Sequence, residues 1–106
     1  IEAGGFLFIS GQVHADSEGT LIGNTIEEKT HLTMKNVQNV LEQAGYSFAD
    51  VVKMEILLTD LSHRKEVSAV YESYLTHPFP ARAMIGVKEL PQGADIEITA
   101  IAYKTA

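Results

Sequence analysis

The chain has 106 residues, eight basic against fourteen acidic for a net charge of −6, and no cysteine. That length allows one core and a single domain over residues 1–106, the missing cysteine excludes disulfides, thiolate zinc sites and thiol nucleophiles, and the acidic balance disfavours a nucleic-acid partner, which wants clustered Lys and Arg. A hydrophobic fraction of 45% and a charged fraction of 21% are those of an ordinary globular protein; no apolar run nears the roughly 20 residues that span a bilayer, no signal-peptide pattern stands at the start, and a cytoplasmic protein is expected.

Ala3-Gly4-Gly5 reads as a turn, because glycine accepts positive φ cheaply. Phe6-Leu7-Phe8-Ile9 is a short apolar strand that Ser10-Gly11-Gln12 should end. The sequence begins at Ile1 without methionine, and this opening reads as a hairpin lacking most of its first strand. Asp16-Ser17-Glu18-Gly19 is a polar loop. Thr25 with Glu28 fits a capping box at the start of a first helix. Apolar residues then recur at Met34, Val37, Val40, Leu41 and Ala44, with Thr30 and Thr33 upstream on the same stripe. Gly45 follows where a left-handed C-cap belongs. Asn36 lies one residue off the centre of the stripe; it is either half-buried against a loop or exposed, and exposure is the expectation for asparagine.

Asp50 to Thr59 reads as a strand with Val52, Met54, Ile56 and Leu58 on one face and Val51, Lys53, Glu55 and Leu57 on the other. Thr59-Asp60-Leu61-Ser62 breaks it and can cap a second helix. That helix shows Val67, Val70, Tyr71, Tyr74 and Leu75 at helical spacing, a core stripe, and Pro78 and Pro80 terminate it. Two more alternating runs follow, from Pro80 to Val87 and from Asp95 to Ala102. Leu90-Pro91-Gln92-Gly93-Ala94 joins them, so they should form an antiparallel hairpin. The order strand, helix, strand, helix, strand, strand lets two helices cover one face of one sheet. The other face would show Leu57, Ile101 and Tyr103, too apolar for water alone, and packing of sheet faces in an oligomer is the economical answer.

Each of the last two strands carries a charge that packing would not choose: Arg82 in the first, Glu97 in the second. Whether they share a face depends on register, which alternation does not fix. They read either as a surface ion pair worth under about 1 kcal/mol, or as an arginine holding a carboxylate through its two-pronged guanidinium beside a glutamate that manages a water or a proton. His14, His31, His63 and His77 lack metal-ligand spacing and read as surface or loop residues. Ser10 lacks a nucleophile elbow and reads as a strand-end hydroxyl bonded to backbone. The glycines form no phosphate loop.

Beyond these patterns, Gly4-Gly5-Phe6-Leu7-Phe8-Ile9-Ser10-Gly11-Gln12 resembles the opening signature of the RidA family, also called YjgF/YER057c/UK114. So do Asn36-Val37 with Leu41-Glu42-Gln43-Ala44-Gly45, Asp50-Val51-Val52-Lys53 with Leu58-Thr59-Asp60-Leu61, Val67 with Tyr71-Glu72, Pro80-Ala81-Arg82, and Leu90-Pro91 with Ile96-Glu97-Ile98. The resemblance runs end to end and in order. It implies a chorismate-mutase-like α+β fold, with two helices on one face of a single sheet. It implies a homotrimer, with sheets around a central β-barrel and sites in clefts between subunits. It implies hydrolysis of reactive 2-imino and enamine acids, such as 2-iminopropanoate and 2-iminobutanoate, to 2-keto acids and ammonia, with no metal or organic cofactor. Such imines leave pyridoxal-phosphate dehydratases and damage other enzymes of that kind.

By position, the resemblance makes Arg82 the carboxylate-binding arginine and Glu97 the glutamate that orients or activates water. It places Ser10 and Gly11 on the strand end bordering the cleft, and Met84 in its wall where a cysteine is common. It also marks departures: Ser68 for an asparagine, Thr99 for a second glutamate, and a tyrosine-bearing segment that would precede Ile1. A non-catalytic ligand-binding or regulatory protein is the alternative reading. An endoribonuclease or translation inhibitor comes third, because the charge gives RNA little to grip.

Overall fold

The computed structural model describes residues 1–105. Its elements in chain order are β1 (Glu2–Ala3), β2 (Phe6–Val13), α1 (Ile26–Gln43), β3 (Val51–Leu58), α2 (Arg64–Ser73), β4 (Ala81–Gly86) and β5 (Ile96–Tyr103). The strands form one mixed sheet in the order β1-β2-β5-β3-β4. Only β3 and β4 run parallel.

The helix boundaries have local causes. Thr25 Oγ1 accepts from the Glu28 amide at 3.1 Å and the Glu28 carboxylate accepts from the Thr25 amide at 3.1 Å, so two otherwise free N–H groups are satisfied. That backbone bond from Thr25 also holds the Glu28 carboxyl below its usual range. At the other end Gly45 takes φ +81°, a left-handed conformation that glycine adopts without a Cβ penalty. The stripe of α1 is buried at Thr30, Thr33, Met34, Val37 and Leu41. Both threonine hydroxyls are satisfied one turn back, Thr30 on the Ile26 carbonyl and Thr33 on that of Lys29. Asp60 caps a short 3-10 turn, Leu61–His63, that leads into α2. Met34, Leu41, Val67 and Tyr71 meet Leu7, Met54, Ile56 and Ile98 in one core between the helices and the sheet.

Three expectations need correction. The last two strands are not a hairpin: β3 lies between β4 and β5, antiparallel to β5 and parallel to β4. The parallel pair is joined through α2, the crossover that parallel strands require. Second, β2 does not end at Ser10-Gly11-Gln12. It continues to Val13, and its pairing with β5 shifts between Ile9 and Gln12, a bulge in which two residues oppose one. Third, β3 shifts register between Val51 and Lys53, so Val51 turns into the core and Val52 is exposed. Simple alternation had placed them the other way round.

The face of the sheet away from the helices is bare in the single chain, as the pattern suggests. Phe6 and Phe8 stand opposite Tyr103 and Ile101 across the β2–β5 pair. Phe6 packs on Tyr103 with ring centroids 4.7 Å apart, yet Phe8 is 46% exposed, and Ile85 of β4, with β5 and β3 between, is exposed as well.

Asn36 departs from the expected exposure while His14 lies in a loop as expected, and both tie the loop after β2. His14 is in a loop but only 3% exposed. Its Nδ1 lies 2.9 Å from the Ile22 carbonyl, and its Nε2 accepts the Asp95 amide at 3.0 Å. Asn36 is half-buried and donates to the carbonyls of Val13 and Ala15 at 2.8 and 2.9 Å. Unpaired carbonyls under a loop are costly, which is why an amide is placed there.

Asp95, just before β5, pairs with Lys29 of α1. The Lys29 hydrogen bond holds the Asp95 carboxyl below the ordinary carboxylate range, helped by the Lys29 charge and by Thr59, against some desolvation. A carboxylate depressed in the folded state contributes stability above its unfolded value of about 3.9, and that contribution is lost as pH falls through the lower folded value. Asp95→Asn should therefore lower the urea midpoint by a constant amount at neutral pH, and the gap to wild type should close below about pH 4. With the Asp95 side chain 43% exposed, solvent screening keeps the effect small. A gap that stays the same width down to about pH 2 would refute the assignment.

Candidate active site

The fold separates the two charges picked out by the sequence. Arg82 sits in register with Met54, and Met84 with Ile56, both of which are core residues. Arg82 and Met84 therefore lie on the helix-covered side, and Met84 packs against the core. Glu97 is paired with Val13 and Leu57, between the buried Ile96 and Ile98, so it lies on the bare side. Two strand steps of about 4.8 Å and the thickness of the sheet stand between them. No carboxylate among the described residues pairs with Arg82, so the surface ion pair is not formed.

Arg82 is on an edge strand, and α2 holds its guanidinium. One terminal nitrogen donates to Ser68 Oγ at 3.3 Å. Its Cζ lies 5.3 Å from the centroid of the Tyr71 ring, within the range of a cation–π contact. Burial pushes the Tyr71 phenol up, and the Arg82 charge opposes that shift. Arg82 is otherwise exposed, and a guanidinium carries further donors in the fork geometry that suits a carboxylate.

Glu97 belongs to a different cluster. A methyl group on Gly11 would sit 2.9 Å from Glu97 Cγ and closer still to its carboxylate. The bulge thus brings bare backbone against the acid. Ser10 is exposed beside it, and its carbonyl accepts from Gln12 Nε2 at 3.2 Å. Sequence reasoning passed over Glu55. It stands opposite Thr99 on the same bare face and accepts from Thr99 Oγ1 at 3.4 Å, with Lys53 Nζ at 3.9 Å. Its place opposite Thr99 follows from register alone, so the sequence carried no signal for it.

No cleft found among the described residues joins the two clusters. The larger ones, of about 500 and 470 Å³, lie at Gly5, Tyr46 and Lys104 and at Asn24, Lys29 and His63. A small hollow of about 50 Å³ opens at Lys53, Glu55 and Thr99. The other histidines lie apart: His31 meets the Tyr74 hydroxyl at 2.8 Å, His63 lies between Asp60 and Glu66, and His77 stacks on Phe79. No group of three potential metal ligands occurs among the described residues, and no described helix is long and apolar enough to cross a membrane.

Gly11→Ala should cost about 1–3 kcal/mol, as overpacking does, read as a lower urea midpoint. In the double variant with Glu97→Ala most of that loss should return, because the two sites share one contact. Additive losses would show that Gly11 and Glu97 do not compete for the same space.

Two helices on one face of a single mixed sheet make the chain an α+β protein. Comparison with known proteins narrows this further. The family model described as Endoribonuclease L-PSP matches residues 1–104. A RutC family protein of Pyrococcus horikoshii is 40% identical over 105 residues, 98% of this chain and 83% of that protein. The human 2-iminobutanoate/2-iminopropanoate deaminase is 39% identical over 99 residues, covering 92% of this chain and 72% of its own length. The crystal structure of RidA from an Antarctic Psychrobacter superposes with a TM-score of 0.93 at 35% identity, over 98% of this chain and 85% of that one. The chain belongs to the RidA family.

Proposed function

We propose that this protein hydrolyses small 2-imino acids and their enamine tautomers, such as 2-iminopropanoate and 2-iminobutanoate, to 2-keto acids and ammonia. The observation that carries this reading is the Arg82 guanidinium, held by Ser68 and Tyr71 with no carboxylate partner among the described residues. A relative named for this activity, 39% identical, supports it.

Arg82 binds the substrate carboxylate and fixes the imine carbon. A water held by Glu97 adds through oxygen to that carbon while the carboxylate of Glu97 takes its proton. The C=N electron pair moves to nitrogen, which gains a proton. In the resulting carbinolamine the hydroxyl proton passes to nitrogen through the Glu97 carboxylate, the C–N bond breaks to release ammonia as the C=O bond forms, and the keto acid remains. The electrophile is already activated, so positioning and proton transfer suffice.

Since Arg82 and Glu97 lie on opposite faces of one chain, we infer that each site is completed between copies, with Arg82 from one and Ser10, Gly11 and Glu97 from the next. The bare apolar face supports a closed homotrimer, in which Phe6, Phe8, Ile85 and Tyr103 leave water.

The test generates 2-iminobutanoate from threonine with a dehydratase and traps it with semicarbazide. The protein should lower the trapped imine and raise 2-oxobutanoate. Calorimetric binding of 2-oxobutanoate without imine turnover would instead favour a non-catalytic module. With a charge of −6, RNA cleavage is the outcome we do not expect; if it survived in Arg82→Ala it would overturn the reading.

A further inference from the structure

Resting on that reading, we propose that Tyr71 is a positioning residue for the carboxylate anchor: its ring fixes the plane of the Arg82 guanidinium while Ser68, one turn earlier on α2, fixes its rotation. Affinity for 2-keto and 2-imino acids is then set in part by a helix residue that never meets the ligand.

Three observations carry this. Tyr71 is only 2% exposed, and its ring is locked in the core beside Val67 and Met34, so the platform is rigid although Arg82 itself is exposed. The guanidinium meets that ring at 5.3 Å and Ser68 Oγ at 3.3 Å. These two contacts restrain the guanidinium, whose other donors suit a carboxylate. Finally, the buried Tyr71 hydroxyl has no hydrogen-bond partner among the described residues. A buried hydroxyl left unpaired opposes folding, so the hydroxyl does not explain the residue, whereas the ring does. A long arginine surrenders rotamer freedom when it binds a ligand; here the ring and Ser68 take that freedom on folding, before the ligand arrives.

Ring and hydroxyl can be tested separately. Tyr71→Phe keeps the ring and removes the orphan; it should bind 2-oxobutanoate as wild type does and melt no lower. Tyr71→Met fills similar volume without a π face. It should weaken 2-oxobutanoate binding about three- to thirtyfold and raise KM for the imine to match, with kcat within about twofold. Equal losses in both variants, or wild-type affinity in Tyr71→Met, would overturn the proposal. The ligand-free protein offers a second reading that does not depend on the reaction. The Arg82 Nε–H should be as rigid as the backbone by NMR relaxation in wild type and in Tyr71→Phe, and mobile in Tyr71→Met. A mobile Arg82 in wild type sinks the positioning role. A rigid one in a protein that binds no keto acid would leave Tyr71 in place and sink the deaminase reading instead.

Discussion

Arg82→Ala will lower kcat/KM for 2-iminobutanoate by between about thirtyfold and several thousandfold, the range expected when one partner of a charge-assisted pair with the substrate is removed, about 2–5 kcal/mol. Arg82 is exposed and its bonds within the chain are one hydroxyl and one ring face, so the melting midpoint of Arg82→Ala should stay close to that of wild type. Arg82→Lys keeps the charge without the fork and should fall between the two. The measurement is imine trapping at several dehydratase fluxes. An alanine variant retaining a third or more of wild-type kcat/KM would remove Arg82 from the anchor role.

Mixing Arg82→Ala chains with Glu97→Ala chains, each inactive alone, should restore about a quarter of wild-type turnover once subunits have exchanged. In the proposed cyclic assembly each site would take Arg82 from one chain and Glu97 from its neighbour, and at equal mixing about one junction in four would join two intact halves. If both residues of a site came from one chain, no mixture could regain activity. The expectation follows from register: Arg82 lies level with Met54 on the core side, and Glu97 lies level with Leu57 on the bare side.

That register is also what the sequence could least provide. The helices were legible because their signals are local. Thr25 and Glu28 are three residues apart, Gly45 follows directly on the stripe, and the buried face of α1 repeats at three and four. The bare face of the sheet was legible too, from Leu57, Ile101 and Tyr103. The partner of β4 was not. A short connection between two alternating runs argues for a hairpin, and nothing in Arg82 or Glu97 says that β3 enters between them; that choice is made by α2 carrying the chain across to a parallel position. Bulges were likewise hidden. Gly11 reads as a strand end, and only the pairing with β5 shows that β2 continues and that the glycine makes room for Glu97. Asn36 was misplaced, and the burial of the loop residue His14 was hidden, because their partners are loop carbonyls and an amide, groups with no side-chain signature. Arg82 and Glu97 themselves stood out as charges in apolar strands, and the family resemblance gave them roles that pattern alone left open.

The position of β4 at the sheet edge gives Arg82 a second consequence. In Ala81–Gly86 it is the only charged residue. The outer edge of that strand offers unpaired N–H and C=O groups, a template for another strand unless a charge guards it. Arg82 is therefore also the gatekeeper of the segment Ala-Arg-Ala-Met-Ile-Gly. Replacing it with alanine leaves six uncharged residues of high apolar content at a free edge, a pattern that favours strand addition and aggregation. Inactive preparations of Arg82→Ala should be compared with Arg82→Lys by light scattering, because the lysine variant loses the fork while keeping the guard.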